Sequence, residues 1–166
     1  MIRIRLNTIR EKQGLKPVDK RVRGFEPVSR MDGIVKCPTR GTSHSAGYDI
    51  YVNEDYTIEP KQSVLIRTGI KAYMPFDEYL DLRVRSSLGI KRQLMLATGA
   101  SVIDSDYYNN DDNEGEIMVV LYNYGDTTQT ISAGEHIVQG IFTKYHLADN
   151  DCTTAKRTGG TGSTNK

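Results

Sequence analysis

The feature that most constrains the fold is a strict two-residue alternation of apolar and polar side chains over two long segments. In residues 63–74 every even-numbered position is apolar or threonine, while Arg67 and Lys71 belong to the opposite set. In residues 79–85 leucine and valine alternate with tyrosine, aspartate and arginine. Because a period of two places successive side chains on opposite faces of a strand, both segments are predicted to be half-buried strands.

Five further segments have the composition of strands and are separated by turn sequences such as Ala133-Gly134. Residues 117–124 form a more continuous apolar run, which is typical of a central strand. No segment shows sustained helical periodicity, and Ser86–Arg92 is the one short helix that we predict. The other candidate strands are residues 22–28, 47–52, 128–131 and 136–145. This pattern predicts an all-β sandwich or barrel.

A length of 166 residues suits a single domain, and composition separates that domain from the two ends of the chain. We predict a charged N-terminal extension at residues 1–20, a β domain at residues 21–150 and a flexible C-terminal arm at residues 151–166. The arm is rich in glycine and threonine, and residues 153–166 contain no large apolar side chain. Such a segment cannot bury enough surface to offset the entropy lost on ordering.

Charge and cysteine usage exclude several classes of protein. Residues 1–40 carry 11 basic and 4 acidic residues (net +7), while residues 41–166 carry 11 and 17 (net −6). This is not the pattern of a wholly basic nucleic-acid binder, so no nucleic-acid partner is expected. The longest fully apolar stretch, Ile117–Tyr122, is too short for a transmembrane helix, and no membrane partner is expected. Cys37 and Cys152 form no CxxC pair and no apolar secretory core opens the sequence, so a cytoplasmic protein with reduced thiols is predicted.

Five short motifs carry the candidate chemistry. Arg85 and Ser86 supply a guanidinium fork and a hydroxyl, which suit a phosphate group. Asp104 follows an apolar pair predicted to lie in a strand, and a carboxylate so placed can orient and deprotonate a water. Glycines and hydroxyls near the C-terminus, beside Lys156 and Arg157, are typical of a loop that cradles phosphates. The motifs are residues 46–50 (AGYDI), 85–89 (RSSLG), 102–107 (VIDSDY), 134–139 (GEHIVQ) and 157–164 (RTGGTGST).

In this order and spacing the five motifs resemble those of the trimeric dUTP pyrophosphatases (dUTPases), over roughly residues 37–166. The resemblance implies a single-domain, distorted jelly-roll or β-barrel fold. It also implies hydrolysis of dUTP to dUMP and pyrophosphate, with Mg²⁺ as the cofactor. Finally, it implies a homotrimer whose active sites are shared between subunits and closed by the C-terminal arm.

The resemblance also implies a role for individual residues. Asp104, Arg85 and Gln139 are the implied catalytic residues, with Asp104 orienting the water that attacks the α-phosphorus. Asp49 is implied to support the Mg²⁺ indirectly, through water. A β-hairpin of about residues 94–103 is implied to read the uracil, and the Tyr107 ring to pack on the deoxyribose and exclude a 2′-hydroxyl. The implied substrate-binding residues are Ser86, Ser87, Thr98, Gly99, Ser101, Ile103, Tyr107, Arg157, Gly160, Thr161, Gly162, Ser163 and Thr164.

The sequence departs from the family pattern at three positions and in one loop. Thr161 stands where an aromatic usually stacks on the uracil, Thr98 where many relatives have asparagine, and Ser101 where a glycine is usual. Losing a base–aromatic stack removes on the order of 1–3 kcal/mol, so weaker binding with surviving catalysis is expected. Residues 108–114 (YNNDDNE) are an insertion, predicted to be a solvated loop because the EF-hand calcium spacing is absent.

Two alternatives to dUTP hydrolysis remain at this point. The dCTP deaminases share the fold, but the position of their catalytic glutamate falls on Val120, and an apolar side chain cannot act as an acid or base. The other alternative is a non-catalytic nucleotide sensor or regulatory protein, which the departures at Thr161 and Ser101 motivate. Release of pyrophosphate from dUTP distinguishes these functions.

Overall fold

A computed structural model describes residues 21–160 of the chain. The described part is mostly β, with one α-helix, α1 (Ser86–Arg92), and two short 3₁₀ turns, Ser29–Met31 and Ser105–Tyr107. Its strands are β1 (Gly24–Pro27), β2 (Thr39–Arg40), β3 (Tyr48–Tyr51), β4 (Tyr56–Ile58), β5 (Ser63–Tyr73), β6 (Glu78–Val84), β7 (Leu94–Leu96), β8 (Ser101–Asp104), β9 (Glu116–Asn123), β10 (Gln129–Ile131) and β11 (His136–Lys144). The all-β class, the short helix and the predicted strands are therefore confirmed.

Within residues 21–160 the strands form two larger sheets and one small one. One sheet has the order β1-β5-β9-β7 and the other the order β2-β3-β11-β6-β8, while β10 and β4 pair separately. Every recorded pairing is antiparallel, and no sheet closes on itself in this part of the chain. The result is a sandwich of the jelly-roll kind rather than a closed barrel.

The core lies between the two larger sheets and is made of fully buried aliphatic side chains. Ile66 of β5 and Leu121 of β9 come from one sheet, and Leu80 of β6 and Ile137 of β11 come from the other, all at 0% exposure. Each buried side chain of this size contributes about 1.5–3 kcal/mol relative to an exposed one. The alternation predicted for residues 63–74 is confirmed, because the even-numbered side chains from Ile66 to Ala72 are buried.

One predicted element is wrong. Residues 94–103 do not form a β-hairpin, because β7 pairs with β9 in the first sheet while β8 pairs with β6 in the second. The connection between them turns at Gly99, whose φ of +74° is in the left-handed region that glycine adopts without strain. This segment therefore crosses from one sheet to the other and places β8 beside residues 79–82 of β6.

The loop at residues 108–114 faces solvent as predicted, since none of its residues is buried, but it is also fixed to the β domain. The insertion is bonded to the β domain through side chains far away in sequence, among them Ser29 and Lys71. Lys71, which the alternation places away from the core, is only 9% exposed because this loop covers it. The loop is part of the packed structure.

The two ends of the chain are described in part. The predicted extension at residues 1–20 lies outside the described residues, as do Thr161, Gly162, Ser163 and Thr164 of the arm. Residues 151–160 have no regular secondary structure. Both cysteines are free and exposed. In the stretch from 21 to 160, no helix is long and apolar enough to cross a membrane.

Candidate active site

The predicted site residues fall into two clefts. The first, called here the Asp104 cleft, has a volume of about 370 Å³ and is lined by Leu65, Thr98, Ala100, Ser101, Val102, Ile103, Asp104, Tyr107, Met118, Val120 and Arg157. The second, called the Arg85 cleft, has a volume of about 290 Å³ and is lined by Gly41, Ser45, Gly47, Asp49, Arg85, Ser86, Ser87 and Gln139. The two share no lining residue.

Strand pairing places Asp104 at the mouth of the first cleft. β8 runs antiparallel to β6, with Asp104 opposite Tyr79 at the beginning of β6. The chain then enters the 3₁₀ turn Ser105–Tyr107, which directs Tyr107 into the cleft. The Asp104 side chain is 53% exposed, whereas Tyr107 is 6% exposed. An accessible carboxylate thus stands beside a fixed aromatic ring.

The arm reaches this cleft within the same chain. The Arg157 guanidinium donates to Asp104 Oδ2 at 2.6 Å and to Asp106 Oδ1 at 2.9 Å, and it lies 5.5 Å from the centre of the Tyr107 ring. Burial lowers the pKa of Arg157, but the hydrogen bond and charge of Asp106 and the charge of Asp104 outweigh it, so that its pKa is raised. Arg157, predicted to bind phosphate, is here paired with the carboxylate predicted to hold the water.

Polar groups of the β7–β8 connection line the opposite side of the cleft. Thr98 Oγ1 and Ser101 Oγ are 2.8 Å apart, so two of the three substituted positions are bonded to each other. The amide of Ala100 donates to the carbonyl of Thr98, and the amide of Gly99 to that of Leu96. The turn is therefore held by its own hydrogen bonds.

The Arg85 cleft is built across the second sheet. Gln139 of β11 lies between Asp49 of β3 and Arg83 of β6 in the strand register. Arg85 follows the end of β6, and Ser86 begins α1. A Cβ at Gly47 would collide with the Gln139 side chain, so glycine is required there for Gln139 to occupy the cleft.

Arg85 is held by two partners. Its Nε lies 3.3 Å from Asp49 Oδ1, and its Nη1 lies 2.6 Å from His136 Nδ1. His136 also lies edge-on to the Tyr51 ring, with centroids 4.7 Å apart. Sequence reasoning gave His136 no role, although it stands in the same motif as Gln139, three residues earlier. The signal that could have found it is this shared motif.

The two clefts lie at opposite ends of β6. Asp104 is paired with Tyr79 across the two strands. Arg85 comes six residues after Tyr79 along the extended chain, so it lies roughly 20 Å from Tyr79 at ~3.3 Å per residue. This distance exceeds the length of a triphosphate group. The structure therefore brings Asp104 together with Tyr107 and Arg157, and Arg85 together with Asp49 and Gln139, but it does not bring these two sets together within one chain.

A dedicated metal cage is absent from the described residues. No group of three or more histidine, cysteine, aspartate or glutamate side chains in residues 21–160 could hold an ion. Asp49 is the one carboxylate among the residues lining the Arg85 cleft. Such a donor set suits Mg²⁺, which keeps several waters and is bound through one or two carboxylates plus substrate phosphates.

Similarity to known proteins identifies the family of this chain. A family model described as dUTPase matches residues 34–165. The chain is 44% identical over 147 residues to the deoxyuridine 5′-triphosphate nucleotidohydrolase of Lactococcus lactis, covering 87% of this chain and 98% of that protein. The chain belongs to the dUTPase family. The resemblance predicted from the five motifs is thereby confirmed.

Solved structures of dUTPases have the same fold. The crystal structure of dUTPase from Streptococcus mutans has 42% sequence identity and a TM-score of 0.70, covering 76% of this chain and 99% of that one. A mutant dUTPase from phage phi11 of S. aureus, whose structure is said to reveal the coordination of a structural Mg(II) ion, has a TM-score of 0.65. It is 17% identical and covers 81% of this chain and 97% of that one, so this likeness concerns the fold alone.

Proposed function

We propose that this dUTPase hydrolyses dUTP to dUMP and pyrophosphate at a site that combines the Asp104 cleft of one copy with the Arg85 cleft of another. The activity follows from membership of the family and from the name of the Lactococcus lactis relative. The observation that carries the shared site is the separation of roughly 20 Å between Asp104 and Arg85 along β6.

The Asp104 cleft binds the nucleoside and provides the base. Asp104 accepts a proton from a water whose oxygen attacks the α-phosphorus, the bond from that phosphorus to the bridging oxygen breaks, and pyrophosphate leaves. Tyr107 lies against the deoxyribose. Thr98, Gly99, Ser101 and Ile103 form the wall that faces the uracil. The half-exposed Asp104 carboxylate, beside a buried ring, supports this assignment.

The Arg85 cleft binds the phosphates. The guanidinium of Arg85, the hydroxyls of Ser86 and Ser87 and the amide of Gln139 converge on one polar cavity, which suits a triphosphate. Asp49 would hold Mg²⁺ through a bound water, and the ion would neutralise charge on the phosphates. Asp49 and His136 fix the orientation of Arg85.

The arm completes the site when Arg157 exchanges its two carboxylate partners for a phosphate group of the substrate. Arg157 is paired with Asp104 and Asp106, and a phosphate group can accept the same parallel hydrogen bonds from its guanidinium fork. The family motif implies that Gly160, Thr161, Gly162, Ser163 and Thr164 also bind the nucleotide, and the last four of these lie outside the described residues. Movement of Arg157 from carboxylate to phosphate frees Asp104 for water.

A homotrimer supplies the second copy. Leu65 and Val120 are opposite each other on β5 and β9, and with Met118 they form an apolar wall of the Asp104 cleft. Leu65 is 52% exposed, so this apolar wall extends to the surface that a neighbouring copy would contact. The free cysteines, Cys37 and Cys152, support a reducing, cytoplasmic location.

Turnover of dUTP with Mg²⁺, followed by release of pyrophosphate, tests this function. We expect hydrolysis of dUTP in preference to UTP, dTTP and dCTP, and its loss in Asp104→Asn. Binding of dUTP without turnover would identify the non-catalytic sensor instead. Release of ammonia from dCTP would identify a deaminase and contradict the assignment based on Val120.

A further inference from the structure

The inserted loop at residues 108–114 holds both ends of Tyr107. The Nδ2 of Asn110 donates to the Tyr107 carbonyl at 2.8 Å, and the Nδ2 of Asn113 donates to the Tyr107 hydroxyl at 2.7 Å. That hydroxyl in turn donates to the Glu116 carbonyl at 3.1 Å. The ring is thus fixed by its backbone on one side and by two hydrogen bonds to its oxygen on the other.

The orientation of the Asn113 amide is determined by its other partners. Its Oδ1 accepts from the Gly115 amide at 3.0 Å and from Asn110 Nδ2 at 2.9 Å, so its Nδ2 is the atom that faces the Tyr107 hydroxyl. Gly115 has a φ of +80°, and a Cβ there would collide with the Tyr107 carbonyl. The loop and the tyrosine therefore pack against each other without room for adjustment.

The loop is itself anchored to the sheet. Lys71 Nζ donates to Asn109 Oδ1 at 2.7 Å and lies 3.2 Å from Glu114 Oε2. The Ser29 hydroxyl and amide donate to the same Glu114 carboxylate, at 2.8 and 3.0 Å. Hydrogen bonds from Ser29 lower the pKa of Glu114, which keeps this anchor ionised. Asn113 is therefore presented to Tyr107 from a fixed support.

We propose that Asn113 is a positioning residue that sets the selectivity of the site for deoxyribose over ribose. This inference rests on the proposed function, in which the Tyr107 ring lies against the sugar. A ring held at its hydroxyl cannot move away from the sugar, so a 2′-hydroxyl collides with it. A ring without the Asn113 donor pivots, and the extra hydroxyl is admitted.

The variant that removes this hydrogen bond is Asn113→Ala. Alanine has no N–H to give to Tyr107 and, unlike aspartate, no carboxylate that would accept from the Tyr107 hydroxyl. Asn109→Ala is the matched control, because it makes the same truncation in the same loop and removes a hydrogen bond to Lys71 rather than to Tyr107. Selectivity is measured as kcat/KM for dUTP divided by kcat/KM for UTP.

We expect Asn113→Ala to lower this ratio by about three- to tenfold, the effect of one hydrogen bond. The change should come from a lower KM for UTP, while kcat for dUTP stays within about twofold of the wild type. Asn109→Ala should keep the wild-type ratio. Melting temperatures of all variants show whether the fold is retained.

Tyr107→Phe provides the second test, because it removes the hydroxyl itself. It also removes the hydrogen bond to the Glu116 carbonyl, so it should lower the ratio at least as much as Asn113→Ala, and adding Asn113→Ala to it should change the ratio no further. An unchanged ratio in a folded Asn113→Ala protein, or in Tyr107→Phe if Asn113→Ala does not fold, overturns the inference. A further drop in the double variant overturns it too.

Binding measurements separate this inference from the proposed function. The dissociation constants of the α,β-imido analogues of dUTP and UTP give the selectivity without turnover. A wild type that binds the deoxy analogue but hydrolyses nothing contradicts the proposed function, and the same binding ratio in the variants still decides the role of Asn113. Equal binding of both analogues by the wild type overturns the inference directly.

Discussion

The Asp104 cleft and the Arg85 cleft are built in different ways from the same sheet. The first is partly apolar and closed by contacts from distant segments: the inserted loop holds Tyr107, and the arm places Arg157 on Asp104. The second is polar and is built by neighbouring strands around Gln139. In the proposed function the nucleoside is therefore recognised by a pocket, and the phosphates by a row of side chains across three strands.

In the proposed function one chain carries all the predicted catalytic residues but does not bring them together in one site. β6 separates the clefts because its first residues pair with β8 and Asp104, while its last residue leads into Arg85. A rigid strand cannot shorten this distance. Assembly of several copies is the simplest way to bring the two clefts to one nucleotide.

The largest expected effect comes from the Asp104 cleft. Asp104→Asn should lower kcat by about 10²–10⁴-fold, which is typical of a general base, and should leave binding of a non-hydrolysable dUTP analogue almost unchanged. Asp106→Asn is the control, because Asp106 also bonds Arg157 but has no role in activating water. Steady-state kinetics and calorimetry measure the two quantities. Similar losses of kcat in both variants would contradict the role given to Asp104.

Substitution of Arg85 should weaken substrate binding rather than proton transfer. Arg85→Lys keeps the charge but loses the fork, and we expect kcat/KM to fall by about 10–100-fold, as for a charged hydrogen bond. The control is Arg83→Lys on the same strand, where the side chain is exposed and paired with Asp81. Binding of the dUTP analogue should weaken in Arg85→Lys alone. Unchanged binding of the analogue by Arg85→Lys would contradict the assignment of the phosphates to the Arg85 cleft.

A smaller effect is expected on stability, and it belongs to the Asp104 side. Glu116 is fully buried and bonded to Arg30 and Arg67, while its carbonyl receives the Tyr107 hydroxyl. Glu116→Gln should lower the free energy of unfolding by about 2 kcal/mol through weaker charged hydrogen bonds. Glu59→Gln, at an exposed site, is the control. Urea unfolding measures both, and equal losses would contradict the structural importance of Glu116.

The smallest effect is the pH dependence of stability. Burial would raise the pKa of Glu116, but hydrogen bonds from Arg30 and Arg67 outweigh it and lower that pKa below the ordinary 4.5. A hydrogen bond from Arg23 lowers the pKa of Glu78, at the beginning of β6. A carboxyl group whose pKa is lower in the folded than in the unfolded protein stabilises the fold only while it is ionised. The contribution of these two glutamates is therefore complete above about pH 4.5 and is lost as the pH falls through their lowered pKa values.

Both of these glutamates lie on the Asp104 side of the molecule. Urea midpoints should therefore change little between about pH 7 and pH 5 and should fall below about pH 4.5. The fall should be shallower in Glu116→Gln, which has no carboxylate to protonate at that position. A midpoint that rose with acid would contradict the sign of these shifts.

Sequence reasoning predicted most of the fold because the alternation of β5 and the apolar run of β9 report burial directly. It failed at residues 94–103, where the family resemblance implied a hairpin, whereas β7 pairs with β9 and β8 pairs with β6. Local pattern cannot determine which of two sheets a short strand joins.

The motifs named individual residues of the candidate site but not their arrangement. They pointed to Asp104 and Arg85, whose separation depends on the register between β6 and β8. The sequence also predicts a solvated loop at residues 108–114 but not its anchors, Ser29 and Lys71, because these are tens of residues away. Asn113 could be recognised only once those contacts were known.

Complementation between two inactive variants tests the central claim most directly. Asp104→Asn and Arg85→Ala proteins are unfolded together in equal amounts, refolded, and assayed for pyrophosphate release from dUTP beside each variant refolded alone. If each site takes Asp104 from one copy and Arg85 from another, random assembly leaves about a quarter of the sites intact, and activity returns to about that fraction of the wild type. If both residues served one nucleotide within a single chain, every site would carry a defect. The mixture would then stay as inactive as its components, which would contradict the shared site.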